Sequence, residues 1–186
     1  ATLGSPSISK TGPTEGNSAS IGATVSYPIT VTVPQGTTLN ATVRDVLPAG
    51  LAYVSHSVDT TGFTGLFANP VPVLDSPATT PGNSGEDVEL SFGTINVPGD
   101  TGTYDSFVVT VVAEILDIPS NKNSTVLNNQ AAFDYTNPNN DDEVSVTSST
   151  VPLTIYEPQL ALSKALADQD PVGNGFVDVG DNLDYT

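Results

Sequence analysis

Glycine and proline interrupt this chain every few residues, and that punctuation constrains its fold more than any other feature. The 186 residues include 16 Gly and 15 Pro. Helix signals are nearly missing, and β-branched residues fill the gaps between the breakers. The clearest strand runs from Thr24 to Val33, where Val25, Tyr27, Ile29, Val31 and Val33 alternate with polar residues or Pro28. That period of two marks a half-buried strand. Pro28 has no amide hydrogen to give a ladder, which predicts an edge position or a bulge there. Further strands are expected at Ser7–Lys10, Ala41–Leu47, Ala52–Val58, Asp87–Phe92, Phe107–Ile115, Val126–Tyr135 and Val144–Ile155. Turn sequences such as Pro34-Gln35-Gly36, Pro98-Gly99-Asp100 and Asn137-Pro138-Asn139 separate them. Residues 61–86 read as a long, loop-rich excursion. Seven or more short strands at this spacing predict an all-β, Ig-like β-sandwich.

Charge narrows the function. The chain has 21 acidic and four basic residues, a formal net charge of −17. A nucleic-acid phosphate backbone needs clustered Lys and Arg, so that class of partner is excluded. An anionic membrane surface is disfavoured for the same reason, and no apolar run approaches a membrane span. Cys is absent, which removes disulfides and thiol nucleophiles, and His56 is the single histidine. Neither a phosphate loop nor a hydrolase constellation is present, so no turnover enzyme is expected. The expected setting is extracellular, on a cell surface or secreted.

The two ends of the chain repeat one another. Ile8-Ser9-Lys10 followed by Ile21-Gly22-Ala23-Thr24-Val25-Ser26-Tyr27 matches Leu162-Ser163-Lys164 followed by Val179-Gly180-Asp181-Asn182-Leu183-Asp184-Tyr185. Residues 1–155 are therefore expected to form one repeat, and 156–186 the start of a second, as in a tandem array. Residues 156–186 could also complete a neighbouring copy by strand addition, giving a head-to-tail filament.

Parity places three polar residues on inward faces. Ile8 shares its face with Lys10; Ala41, Val43 and Leu47 share theirs with Asp45; Leu127, Ala131 and Phe133 share theirs with Asn129. Lys164 is the equivalent of Lys10 in the second copy. One buried Lys, Asp and Asn are each costly alone and call for a joint explanation. A desolvated Lys10 loses its proton easily and can attack the carboxamide carbon of Asn129. A protonated Asp45 can polarise that amide and relay protons. Ammonia leaves and an isopeptide bond joins Lys10 to Asn129. Two plainer readings stand beside it: a solvated Lys10 at a strand end, and a buried Lys10–Asp45 ion pair without covalent chemistry.

At these residues the chain resembles the CnaA-type (fimbrial and adhesin) isopeptide domains of bacterial surface proteins and the related conserved-repeat domains of long surface arrays. The matching pieces are Ser9-Lys10-Thr11, the Val25–Val33 strand, Val43-Arg44-Asp45-Val46-Leu47-Pro48-Ala49-Gly50-Leu51 and Asn129-Gln130-Ala131. The resemblance implies a Lys in the first strand, an Asp in an early strand and an Asn in a late one, the order found here. It implies a structural stalk repeat of an adhesin, filament or appendage, with neighbouring repeats as partners. Asn128 adjoins the acceptor, and parity favours Asn129.

Other signals remain. Asp168, Asp170, Asn174, Asp178 and Asp181 follow the oxygen-ligand logic of a calcium loop without the twelve-residue spacing, so a calcium site and a solvated acidic turn both stand. The Asn137–Glu143 stretch reads as a solvated acidic turn. His56 reads as a surface residue. Asn40 and Asn123 head glycosylation sequons. The alternative function is an Ig-like module that binds a glycan or a host protein, which needs an exposed aromatic platform. Phe63, Phe67 and Tyr104 in loops are its candidates.

Overall fold

The period-two stretches do become strands. The computed structural model describes residues 4–76, 85–99, 104–157, 161–164, 166–167 and 184–185. In chain order the strands are β1 (Ser7–Lys10), β2 (Ser18–Ser20), β3 (Thr24–Val33), β4 (Gly36–Val46), β5 (Leu51–Asp59), β6 (Leu66–Phe67) and β7 (Val73–Ser76). They continue with β8 (Asp87–Val97), β9 (Asp105–Ile115), β10 (Val126–Thr136), β11 (Glu143–Thr147), β12 (Val151–Tyr156), β13 (Leu166–Ala167) and β14 (Asp184–Tyr185). No helix occurs among the described residues. One sheet has the order β1-β3-β9-β5; a larger one has the order β2-β12-β10-β4-β8-β6, with β11 beside β10 and β7 beside β8. Their inward faces form one core: Tyr27, Ile29 and Val31 of β3 and Phe107 and Val109 of β9 on one side, Val43, Leu90, Phe92 and Phe133 on the other. Each such side chain contributes about 1.5–3 kcal/mol relative to exposure. This is an all-β sandwich.

Pro28 is not on an edge strand, contrary to expectation, because β3 lies between β1 and β9. Its tolerance has a local cause. A strand residue points its N and its C=O to the same side, and the Pro28 carbonyl accepts from the Thr11 amide at 3.1 Å. The Pro28 nitrogen therefore faces Thr11, one residue past the end of β1 at Lys10, so proline forgoes a single bond at the very end of the β1–β3 ladder and leaves the β3–β9 pairing intact.

Bulges account for the other departures. β4 begins at Gly36 rather than Ala41, and its register against β8 shifts between Thr38 and Ala41 around Asn40, which has φ 51°. β8 runs on to Val97, past Gly93 at φ 68°. The expected single strand Val144–Ile155 is two, β11 and β12, paired with the same edge of β10. The register advances by one residue between Ala132↔Thr147 and Asn129↔Val151, which makes residues 148–150 a bulge beside Asn129. Within the 61–86 excursion, β6 and β7 pair with β8.

The registers also set where the chain enters and leaves the sandwich. Ser7 pairs with Thr32, so β1 begins at the pole of the β3–β4 turn. Val126 pairs with Thr154, so β12 ends at the opposite pole. A pull on the two ends thus runs along the strands. The β13–β14 ribbon pairs Leu166 with Tyr185. If Lys164 is set on Lys10 and Tyr185 on Tyr27, this is the register in which β1 pairs with β3.

The charge of −17 repels itself in the compact state. Raising salt from about 0.01 M to about 0.15 M shortens the screening length from about 30 Å to about 8 Å. The melting temperature is expected to rise over that range in a calorimetric salt titration.

Candidate functional site

β1 delivers Lys10 to the interior at its last residue. The sequence alternates Ser7-Ile8-Ser9-Lys10, with Ile8 and Lys10 buried and the serines exposed. Lys10 lies opposite Ile29, and its Nζ sits 4.5 Å from the centroid of the Tyr27 ring, the diagonal neighbour on β3. Across the interior, β4 presents Asp45 between the buried Val43 and Leu47. Lys10 Nζ donates to Asp45 Oδ1 at 2.6 Å, with the two side chains 0% and 1% exposed. The solvated-strand-end reading of Lys10 is thereby excluded.

Asn129 comes from β10, the strand beside β4. Ala131 pairs with Asp45, and Asn129 lies two residues along on the same face. Asn129 is buried, whereas Asn128 is exposed. The backbone is held tightly around it. Asn129 pairs with Val151, the Ala131 amide donates to Ser148 Oγ at 3.1 Å, and Gln130 Nε2 donates to the Ser148 carbonyl at 2.8 Å.

The cluster is dry and incompletely bonded. Asn129 Oδ1, Asn129 Nδ2, Asp45 Oδ2 and the Tyr27 hydroxyl are all buried with no hydrogen-bond partner. An orphaned buried polar group typically costs about 1–3 kcal/mol, so four in one place form a strained arrangement. Burial pushes the Lys10 amine below its usual range, against the pull of Asp45. Burial likewise raises the Asp45 carboxyl, opposed by Lys10 and by the nearby Asn129 amide. That amide lies near enough to help hold the charge on Asp45 without making a well-formed hydrogen bond to it. Both shifts favour the neutral pair, a free amine beside a protonated acid. An amine, an acid and an unbonded carboxamide therefore share one water-excluded pocket.

The remaining candidate residues lie elsewhere. Lys164 is exposed, and Leu162, two residues before it, is 92% exposed. Asp168, Asp170, Asn174, Asp178 and Asp181 lie outside the described residues. In the Asn137–Glu143 turn, Asn137 Oδ1 accepts from the Asn139 amide at 3.0 Å, so the turn is closed by its own side chains. His56 is half-buried rather than freely exposed, with Nδ1 2.7 Å from the Tyr53 hydroxyl. Asn40 Nδ2 donates to Thr136 Oγ1 at 3.1 Å.

The loop aromatics do not form the platform that a binding module requires. Phe63 and Phe67 stack at 4.8 Å and pack onto Phe107. Asp105 holds them there by accepting from the Thr64 amide at 2.6 Å, Thr64 Oγ1 at 2.8 Å and the Gly65 amide at 3.1 Å. Of the three, Tyr104 alone is exposed, at 56%. Tyr27 is the site residue that sequence reasoning passed over, as one more apolar position of β3. The signal available was the repeat itself, which carries a Tyr with its Lys in both copies, Tyr27 with Lys10 and Tyr185 with Lys164.

No protein-family model matches the chain, and no curated protein sequence matches it. Solved structures do. BcpA, the major pilin subunit of Bacillus cereus, matches with TM-score 0.54 and 18% identity over 81% of this chain and 40% of that one. The full-length major pilin SpaD of Corynebacterium diphtheriae matches with TM-score 0.54 and 20% identity over 79% and 35%. A C-terminal fragment of the major pilin GBS80 of Streptococcus agalactiae matches with TM-score 0.54 and 12% identity over 82% and 56%. The chain thus spans less than two thirds of each. At these identities the likeness is one of fold: this chain has the β-sandwich fold seen in pilin subunits.

Proposed function

We propose that this chain is a load-bearing repeat of a bacterial pilus or surface filament, welded internally by a Lys10–Asn129 isopeptide bond. The observation that carries the reading is the buried Lys10–Asp45 contact beside a carboxamide with no partner of its own. Lys10 passes a proton to Asp45, and the neutral Nζ adds to the Asn129 side-chain carbon. The new C–N bond forms, the attacking nitrogen loses a second proton, and the Asn129 Cγ–Nδ2 bond breaks as Nδ2 takes up one proton through Asp45. Ammonia leaves and Asp45 ends protonated, the form its burial favours. The wider role rests on the pilin fold, on chain ends at opposite poles, and on a C-terminal ribbon in the register of β1 and β3. In this reading residues 1–155 are one repeat and 156–186 open the next. The partners are neighbouring repeats and further subunits, outside the cell.

Trypsin tests it directly. An acylated Lys10 is not a cleavage site, so digestion of the unfolded chain is expected to give a branched peptide joining residues 1–44 to 123–164. Release of separate 1–10 and 123–164 peptides would contradict the bond.

A further inference from the structure

Tyr27 carries a buried polar group that the reaction above does not use. Its side chain is fully buried, its hydroxyl has no partner, and its ring lies against the Lys10 amine. A tyrosine hydroxyl inside a core normally finds an acceptor. Here two acceptors of the same cluster are also unpaired, Asp45 Oδ2 and the Asn129 carboxamide oxygen, and of these only the carboxamide oxygen belongs to the group that Lys10 attacks. That oxygen gains negative charge as Lys10 adds, and a buried donor idle in the resting state is the kind of group that stabilises such charge. Hydrogen bonds of this kind are often long at rest and tighten in the transition state. Burial pushes the phenol above its usual range, and the charges of Asp45 and Glu15 add to that, which keeps the hydroxyl protonated and able to donate. The internal repeat is an independent pointer. Tyr185 stands to Lys164 as Tyr27 stands to Lys10, in the same strand register.

We propose that the Tyr27 hydroxyl is the hydrogen-bond donor to the Asn129 carboxamide oxygen during bond formation. This rests on the isopeptide reading. No net proton transfer from Tyr27 is involved: Asp45 handles the protons, and Tyr27 holds the oxygen. A phenylalanine at this position would keep the packing and the ring face under Lys10 and remove the donor alone.

The experiment follows the mass of newly synthesised full-length chain over time, with Asn129→Ala as the unreactive blank. Tyr27→Phe is expected to lose ammonia about 100-fold more slowly than the unchanged chain, the usual effect of deleting one oxyanion donor. Equal rates would overturn the proposal. Difluorotyrosine at position 27 keeps the side chain's shape and strengthens the donor, so it is expected to speed the loss. An unchanged rate there would count equally against it. If the unchanged chain itself never loses ammonia, the isopeptide reading fails instead, and the two failures are told apart.

Discussion

Asn129→Ala is expected to lower the unfolding free energy by about 4–5 kcal/mol, a large share of the roughly 5–15 kcal/mol available to a domain. The estimate comes from loop closure. A Lys10–Asn129 bond ties residues across most of the sandwich, and by analogy with a disulfide of that span it removes about 4–5 kcal/mol of unfolded-chain entropy. For a chain of this size that is a fall of roughly 10–20 °C in melting temperature. The substitution leaves the Lys10–Asp45 pair intact. Lys10→Ala is expected to do more harm near neutral pH, because it also strands Asp45 in the interior. Its pH dependence carries a sign. Burial raises the folded-state pKa of Asp45, and Lys10, which opposes that rise, is gone. A raised group contributes stability that is present below the unfolded carboxyl pKa and is lost as pH climbs through the folded value. Lys10→Ala is therefore expected to be more stable near about pH 4 than near about pH 8, relative to Lys10→Ala combined with Asp45→Ala. Denaturant melts at the two pH values check this, and an equal loss at both would contradict it.

A single molecule pulled from its two poles is expected to lengthen by only a short, fixed amount. β1 carries Lys10 and β12 carries the outgoing chain, and with the bond in place everything from Lys10 to Asn129 lies inside a covalent loop. The segment free to peel away runs from Asn129 to Tyr156. That is about 27 residues, roughly 90 Å of contour at about 3.4 Å each. It comprises β11 and β12, held to β10, with β2 on the far side of β12. Without the bond, extension from Lys10 to Tyr156 releases about 146 residues, roughly 500 Å. Force spectroscopy on the unchanged chain and on Asn129→Ala should return the short and the long step respectively. A long step from the unchanged chain would mean that load is not diverted through Lys10 and Asn129.

The inward placement of Lys10, Asp45 and Asn129 was legible because each sits in a run whose period-two parity is kept. Ile8 and Lys10, Val43 to Leu47, and Leu127 to Phe133 contain no bulge to flip the parity. Where a bulge intervenes, period-two reading fails. Asn40 and Gly93 hide the first half of β4 and the second half of β8, and the extra residue at 148–150 divides β11 from β12. Pro28 misled for a different reason: the position of its nitrogen depends on where a neighbouring strand stops. Phe63 and Phe67 read as exposed because their burial depends on the Asp105 carboxylate, distant in sequence, pinning their loop. Tyr27 was legible as core, but its contact with Lys10 required the β1–β3 register.

The most direct test of the welded interior is the intact mass of the folded, purified chain, read under denaturing conditions beside that of Lys10→Ala. The unchanged chain should be lighter than its sequence by one ammonia, and the variant should match its sequence. An unchanged chain at full sequence mass would contradict the account.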